Sequence, residues 1–179
     1  NDGITSIGSY AFYSFMNLES VTMTSSVTVI FSGAFKNCQK LKSINISNNI
    51  VYIGSHVFSG CSSLLSITIP EKVPLIDSNT FENCFNLTTC EILGNISSIG
   101  NSAFYNCYSL LSISLPENVT SIGTQSFYNC YNLSSLVIQG KLSFIGNGAF
   151  NNCKNIKDIS INGDITIASC NFLHCQSEY

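Results

Sequence analysis

A phenylalanine recurs at one fixed interval along this chain, and this interval limits the possible folds more than any other feature of the sequence. The recurring residues are Phe12, Phe35, Phe58, Phe81, Phe104, Phe127 and Phe150, and an eighth, Phe172, comes one position earlier than the interval requires. A 23-residue unit of this kind cannot bury its own apolar face, whereas stacked units share one continuous core. The period therefore predicts a repeat solenoid.

Other residues keep the same register and predict the structure of each part of the unit. Ile precedes each Phe by five positions, while Cys, Leu and two further apolar residues usually follow it by three, six, nine and eleven. The consensus is I-G-x-x-A-F-x-x-C-x-x-L-x-x-I-x-I. The alternation at its end predicts a short strand with one buried face. The three-residue steps of A-F-x-x-C-x-x-L predict a short helical turn, either 3₁₀ or α.

This pattern resembles the BspA-like family of the leucine-rich repeat superfamily, essentially from Ile4 to Cys175. The resemblance implies an α/β solenoid of the horseshoe type, with a parallel sheet on its concave face. On this view residues 1–179 form a single domain of about seven full repeats and a partial eighth. We expect the chain to be a fragment of a longer protein. Its richness in Asn, Ile, Ser and Phe further resembles the composition of a parasitic protist.

Seven of the nine cysteines stand three residues after a repeated Phe, at an inward position of the predicted turn. We therefore expect them to be small buried apolar residues, which is the usual state of a free cysteine. Zinc requires converging ligands, whereas thiols spaced by one repeat form a line, so we predict no metal site. Cys170, His174 and Cys175 are the only local cluster, and a metal ion there is the alternative.

The charged residues exclude several classes of function. The chain has seven Lys, no Arg and ten Asp or Glu, which gives a net charge of −3. Nucleic acids and anionic membranes attract clustered positive charge, so neither is an expected partner, and no apolar run is long enough for membrane insertion. His56 and His174 are the only histidines and lie five repeats apart. No catalytic motif is present, so we expect neither an enzyme nor a cofactor.

Aromatic residues at the positions one and four after the repeated Phe are candidate partner-binding residues. They are Phe85, Tyr105, Tyr108, Tyr128 and Tyr131. These positions share one face of the predicted turn, so the rings should form a contiguous patch on the flank of the solenoid. Tyr is favoured in protein interfaces because it gives contact area at a low entropic cost. The alternatives are that the rings only shield the edge of the core, or that the patch only packs against another part of the full-length protein.

Two polar rows beside the inward residues of the predicted strands are candidates for binding at the concave face. Their central members are Ser43, Asn45, Ser66, Thr68, Thr89, Glu91, Ser112 and Ser114. Small hydroxyl and amide side chains could form hydrogen bonds with a protein or a glycan. The alternative is that they only keep a solvated sheet soluble, since the rows lack the large anchors that usually supply binding energy.

The resemblance implies a non-catalytic binding module of a cell-surface protein. BspA-like proteins take part in adhesion to host cells, matrix proteins or other microbes, so the expected partner is a host surface or matrix protein and the expected location is extracellular. Two alternatives remain open. The repeats could be a scaffold that spaces other domains, or the polar rows could bind glycans.

Overall fold

The computed structural model describes residues 3–162 and 166–167, which form a solenoid of short parallel strands. Between Phe12 and Phe150 the chain makes six turns, each one repeat long. The strands are β1 (Ser6–Ile7), β2 (Ser20–Thr22), β3 (Val29–Ile30), β4 (Ser43–Asn45), β5 (Tyr52–Ile53), β6 (Ser66–Ile69), β7 (Thr89–Ile92), β8 (Ser98–Ile99), β9 (Ser112–Leu115), β10 (Ser121–Ile122), β11 (Ser135–Lys141), β12 (Phe144–Ile145), β13 (Asp158–Asn162) and β14 (Thr166–Ile167). We number the coils 1 to 7 by the repeated Phe that each contains.

Each coil can contribute one strand before its Phe and one after it. We call the strands before the Phe the side strands, and they pair as β1-β3-β5 and β8-β10-β12-β14. We call the strands after the Phe the front strands, and they pair as β2-β4 and β6-β7-β9-β11-β13. All pairs are parallel, and those among β1 to β12 join residues 23 positions apart, as Ser112 pairs with Ser135. The predicted solenoid of parallel strands with a 23-residue period is therefore confirmed.

The prediction of a helical turn in each unit is wrong, because the described residues contain no helix. The segment around each core Phe is instead a series of tight turns in which two residues have positive φ. In coil 2 these are Gly33 (φ 66°) and Asn37 (φ 61°). Backbone N–H groups donate alternately to the next coil and to their own coil. Phe35 donates to the Val57 carbonyl of the next coil, while Lys36 donates to the Gly33 carbonyl of the same coil. A helix would keep every such bond within the coil, so the fold is a β-solenoid and not an α/β one.

The repeated phenylalanines form the centre of the core. Successive rings stack face to face with centroids 5.1–5.9 Å apart, and those from Phe35 to Phe150 are completely buried. Such separations lie in the range in which aromatic pairs attract each other. The inward Ile and Leu residues of both strands close the core around this column. The column sets the spacing at which every outward position repeats.

The laddered cysteines in the described part of the chain are free and buried, as predicted. Each thiol donates a hydrogen bond to the carbonyl of the core Phe in the preceding coil, and the distances are 3.0–3.2 Å. The Phe58 carbonyl, for example, accepts from the Cys84 thiol and from the backbone N–H of Cys61. The cysteines thus satisfy a second lone pair on a buried carbonyl. Cys170, His174 and Cys175 lie outside the described residues.

Each proline interrupts a sheet between its own coil and the preceding one. Leu93 donates its N–H to the Ile69 carbonyl, but at the equivalent position Pro70 has no N–H to give to Ile46. β4 and β6 are accordingly unpaired. Pro116 has the same effect, since β7 pairs with β9 only at Thr89 and Ser112. On the side face, Pro74 lies where the side sheet ends after β5.

Candidate interaction surface

The structure brings the five predicted aromatic residues together on one flank of the solenoid. Phe85, Tyr108 and Tyr131 form one column, with ring centroids 5.1 and 5.2 Å apart. Tyr105 and Tyr128 form a second column, with centroids 5.1 Å apart and rings 9° from parallel. We call these five residues the aromatic flank. The register of the coils explains both columns, because equal positions of neighbouring repeats lie above one another.

An amide ladder lies between the two columns in sequence and holds the coils at this spacing. Asn106 donates from Nδ2 to Oδ1 of Asn83, Asn129 donates to Asn106, and Asn152 to Asn129, each at 2.8 Å. These residues have φ near 60°, which Asn tolerates better than most side chains. The sequence analysis missed this ladder. Its signal was the Asn that recurs two residues after the repeated Phe.

The rings present their edges and hydroxyl groups to solvent, because their faces cover one another within each column. Phe85 and Tyr131 at the two ends of the longer column are each 37% exposed, and the three other tyrosines are half-buried. Partial burial raises the pKa of Tyr105, and the neighbouring Tyr128 and Tyr108 raise it further. The Tyr105 hydroxyl therefore stays protonated at neutral pH and can donate a hydrogen bond.

A lysine continues the longer column into the next coil. The Nζ of Lys154 lies 5.9 Å from the ring centroid of Tyr131, within the range of a cation–π interaction. Lys154 holds in coil 7 the position that Tyr131 holds in coil 6. The sequence analysis did not include it, although the repeat register places it there. The surface is therefore aromatic in its centre and cationic at this end.

The eight predicted residues of the polar rows are exposed on the outward side of the front strands. Thr68 and Glu91 are neighbours, and the Thr68 hydroxyl donates to Oε2 of Glu91 at 3.2 Å. The rows are not continuous, because the prolines interrupt the sheet beneath them. A groove of about 290 Å³ between β4 and β6 is lined partly by Ser43, Asn45, Ser66 and Thr68. A second groove of the same volume, near β7 and β9, is lined partly by Glu91 and Ser114.

One further group of titratable residues lies beside the core turns. The Ser59 hydroxyl donates to Oε2 of Glu82 at 3.1 Å, and Nδ1 of His56 lies 3.8 Å from the same oxygen. Burial lowers the pKa of His56, and the nearby Lys36 lowers it further, so the imidazole is neutral at pH 7. Because the carboxylate lies between Ser59 and His56, the imidazole cannot act as the base for that hydroxyl. This group does not form a nucleophilic triad.

No group of three or more His, Cys, Asp or Glu side chains is placed to hold a metal ion within residues 3–157. In the described part of the chain no helix has the length and apolarity needed to cross a membrane.

Comparison with known proteins gives one family and several similar structures. The family "BspA type Leucine rich repeat region" matches residues 1–109 and 74–179 in six copies. A leucine-rich repeat protein of T. pallidum is 32% identical with a TM-score of 0.82, and the match covers 88% of this chain and 75% of that protein. One from Eubacterium ventriosum is 25% identical with a TM-score of 0.83, and the match covers 98% of this chain and 47% of that one.

A third structure, a leucine rich cell surface protein of Faecalibacterium prausnitzii, is 24% identical with a TM-score of 0.55. That match covers 97% of this chain and 63% of that protein, and at this identity it supports the fold alone. No curated protein matches the chain. These similar structures are bacterial, so they give no support to the protist source suggested by composition.

Proposed function

The chain belongs to the BspA-type leucine-rich repeat family, and from that premise we propose that it is a non-catalytic protein-binding module of a cell-surface protein. Repeat proteins of this family generally act as protein-interaction modules. We propose further that the module mediates adhesion to a host surface or matrix protein, and that the aromatic flank makes the contact. The description of the F. prausnitzii protein as a cell surface protein is in keeping with this location.

The stacking of the aromatic flank is the observation that carries this proposal. Tyr is among the residues that contribute most to interface energies, and rigid groups lose little entropy on binding. Here each ring is already fixed by a neighbour 5.1–5.2 Å away. The edges are exposed and are available to a partner. The polar rows offer no side chain of comparable size.

An adhesion assay with matched variants tests this proposal. The purified chain is applied to epithelial monolayers and to plates coated with laminin or collagen. Changing Tyr108→Ser and Tyr131→Ser together should reduce retention about tenfold or more. The matched control changes Tyr52→Ser and Phe144→Ser, which are 36% and 44% exposed on the side face. Equal retention of the wild-type chain and both variants would contradict the proposal.

Glycan binding is a second candidate, favoured by the two polar grooves of the front face. Neutral hydroxyl and amide groups line the groove between β4 and β6, and such groups suit the hydroxyls of a neutral sugar. We expect weak binding, because this groove contains no aromatic ring. An array of neutral glycans should give signals that Ser66→Ala with Thr68→Val abolishes and that the Tyr variants keep. An array without signals would exclude this candidate.

A further inference from the structure

The charged residues of this chain are divided between its faces according to sign. In coils 1 to 7, the segment from one to seven residues after the core Phe carries five lysines and two glutamates. The lysines are Lys36, Lys40, Lys42, Lys154 and Lys157, and the glutamates are Glu19 and Glu82. The other described side chains include two lysines and four carboxylates. The lysines are Lys72 and Lys141, and the carboxylates are Glu71, Asp77, Glu91 and Glu117. A protein with a net charge of −3 thus has one basic flank.

The two glutamates on this flank are already engaged by other side chains. Glu19 forms an ion pair with Lys42 at 3.0 Å. Glu82 accepts a hydrogen bond from Ser59 and faces His56. The lysines at the far end, Lys154 and Lys157, are both exposed. The ion pair with Glu19 also engages Lys42, so the positive charge available to an incoming partner lies on the other lysines of the flank, above all Lys154 and Lys157.

The lysines lie at the two ends of the flank, and the aromatic columns lie between them. Lys40 and Lys42 belong to coil 2, Lys154 and Lys157 to coil 7, and the aromatic residues to coils 4 to 6. Five coil steps separate the ends, with core ring centroids 5.1–5.9 Å apart at each step, which gives a distance of about 25–30 Å. A typical protein interface buries about 800 Å² on each partner, roughly 30 Å across. Its centre is apolar and its rim polar, as on this flank.

The aromatic residues at the centre of the flank also favour a negatively charged partner. The edge of an aromatic ring is its electropositive part, and edges are what the columns expose. Tyrosine hydroxyls are protonated at neutral pH, and burial with the neighbouring tyrosines moves the pKa of Tyr105 further from that range. Ring edges, hydroxyl donors and ammonium groups all favour partner groups that are negative or accept hydrogen bonds.

A linear polyanion fits this arrangement less well than a protein. Nucleic acids and sulfated glycans are bound by cations that follow their backbone, whereas the positions of this flank in coils 3 to 6 contain no lysine. Bases also bind by stacking on ring faces, and here most faces are covered by neighbouring rings at 5.1–5.2 Å.

We propose that the aromatic flank recognises a protein surface on which apolar side chains are bordered by Asp and Glu. This inference rests on the proposed function, because it assigns a chemistry to the partner of the same site. Electrostatic complementarity of this kind acts mainly on the association rate and depends on salt.

Selection from a library of random peptides displayed on phage tests the proposal. Peptides are selected on the wild-type chain, and those that also bind the Tyr108→Ser, Tyr131→Ser variant are discarded. The remaining peptides should be enriched in Asp and Glu beside Leu, Phe or Trp. Peptides that depend on the tyrosines but carry no acidic excess would overturn this inference and leave the proposed function standing. If no peptide distinguished the two chains, both would fail.

A pair of charge variants tests the role of the lysines with the selected peptide. Lys154→Gln with Lys157→Gln should slow association about fivefold at low salt. Lys72→Gln with Lys141→Gln removes the same charge from the other faces and should change the rate by less than about twofold. Equal effects of the two pairs would show that only net charge matters and would overturn the inference. Tight binding of heparin that depends on Lys154 and Lys157 would overturn it in favour of a polyanion.

Discussion

Each laddered cysteine acts at the scale of a single buried group. Its thiol donates a hydrogen bond to the buried carbonyl of the core Phe in the preceding coil. Burial raises the pKa of Cys61, Cys84, Cys107 and Cys130 well above the ordinary value of 9. Burial also raises the pKa of Cys90 to about 12. These thiols are therefore poor nucleophiles in the folded chain, since only the thiolate is reactive.

The same pKa shifts predict that alkaline solutions destabilise the fold. In the unfolded chain the thiols lose their protons near pH 9, whereas in the folded chain they keep them to higher pH. Stability from this source is complete below pH 9 and is lost as the pH rises towards the folded pKa values. Each thiol should lower the free energy of unfolding by about 1.4 kcal/mol per pH unit in this window.

Urea unfolding at several pH values between 8 and about 10.5 measures this slope. Cys107→Ala provides the control, because its slope should be smaller by the share of one thiol. It should also be less stable at pH 8 by about 1–3 kcal/mol, since the Phe81 carbonyl loses a donor. A free energy of unfolding that stays constant up to pH 10.5 would contradict the shifts.

At the scale of elements, the front strands were predicted, whereas the side strands and the turns were not. Alternating apolar residues indicate a strand with one buried face, and β6, β9 and β11 show this alternation of burial. A step of three apolar residues is shared by helices and by consecutive tight turns, so it could not distinguish them. The distinguishing signal was the residue two positions after the core Phe, which is Asn or Gly in coils 2 to 7. Those residue types favour the left-handed region of φ.

Two substitutions of Asn106 separate its conformational role from its amide bonds. Asn106→Gly keeps the left-handed backbone, as Gly60 does in coil 3, but loses the bonds to Asn83 and Asn129. We expect it to lower the free energy of unfolding by about 1–2 kcal/mol. Asn106→Ala adds the strain of an L side chain with φ near 60° and should cost about 1–2 kcal/mol more. Equal stabilities of the two variants in urea unfolding would contradict this account of the turn.

The pairing of the front strands is interrupted between certain coils, and the sequence of a single repeat does not show why. A proline ends its own strand because it has no N–H group, and the same absence removes a hydrogen-bond donor to the preceding coil. Pro70 therefore opens a groove beside Ile46, which belongs to the coil before it. The polar rows look continuous in sequence and are divided in the structure for this reason.

At the scale of the whole molecule, the candidate surface follows from register. Because each coil stacks on the next at a constant offset, the sequence alone places the five aromatic residues side by side. The face-to-face stacking of the rings could not be predicted, since it depends on side-chain torsion angles that the repeat pattern does not specify. The division of charge between faces was also missed, because a net charge of −3 hides a flank on which lysines predominate.

The same stacking predicts how a local defect spreads. In a solenoid each coil contacts only its neighbours, so stability is a sum of coil and interface contributions. Gly100 lies at such an interface, and a Cβ there would be 2.5 Å from the backbone N of Ser78 in the coil before. A Cβ on Gly8, at the same position of coil 1, would meet nothing within 4 Å. A methyl group at Gly100 would therefore push two coils apart, whereas a methyl group at Gly8 would fit without any movement.

We therefore expect Gly100→Ala to lower the free energy of unfolding by about 3 kcal/mol, and Gly8→Ala to change it by less than about 0.5 kcal/mol. Hydrogen exchange should show where the loss falls. In Gly100→Ala, amides of coils 4 and 5 should lose protection first and those of coils 1 and 2 last, because the interfaces between them relay the defect stepwise. A uniform loss along the whole chain would mean that the solenoid unfolds as one unit, and nearest-neighbour coupling would then be the wrong description of this molecule.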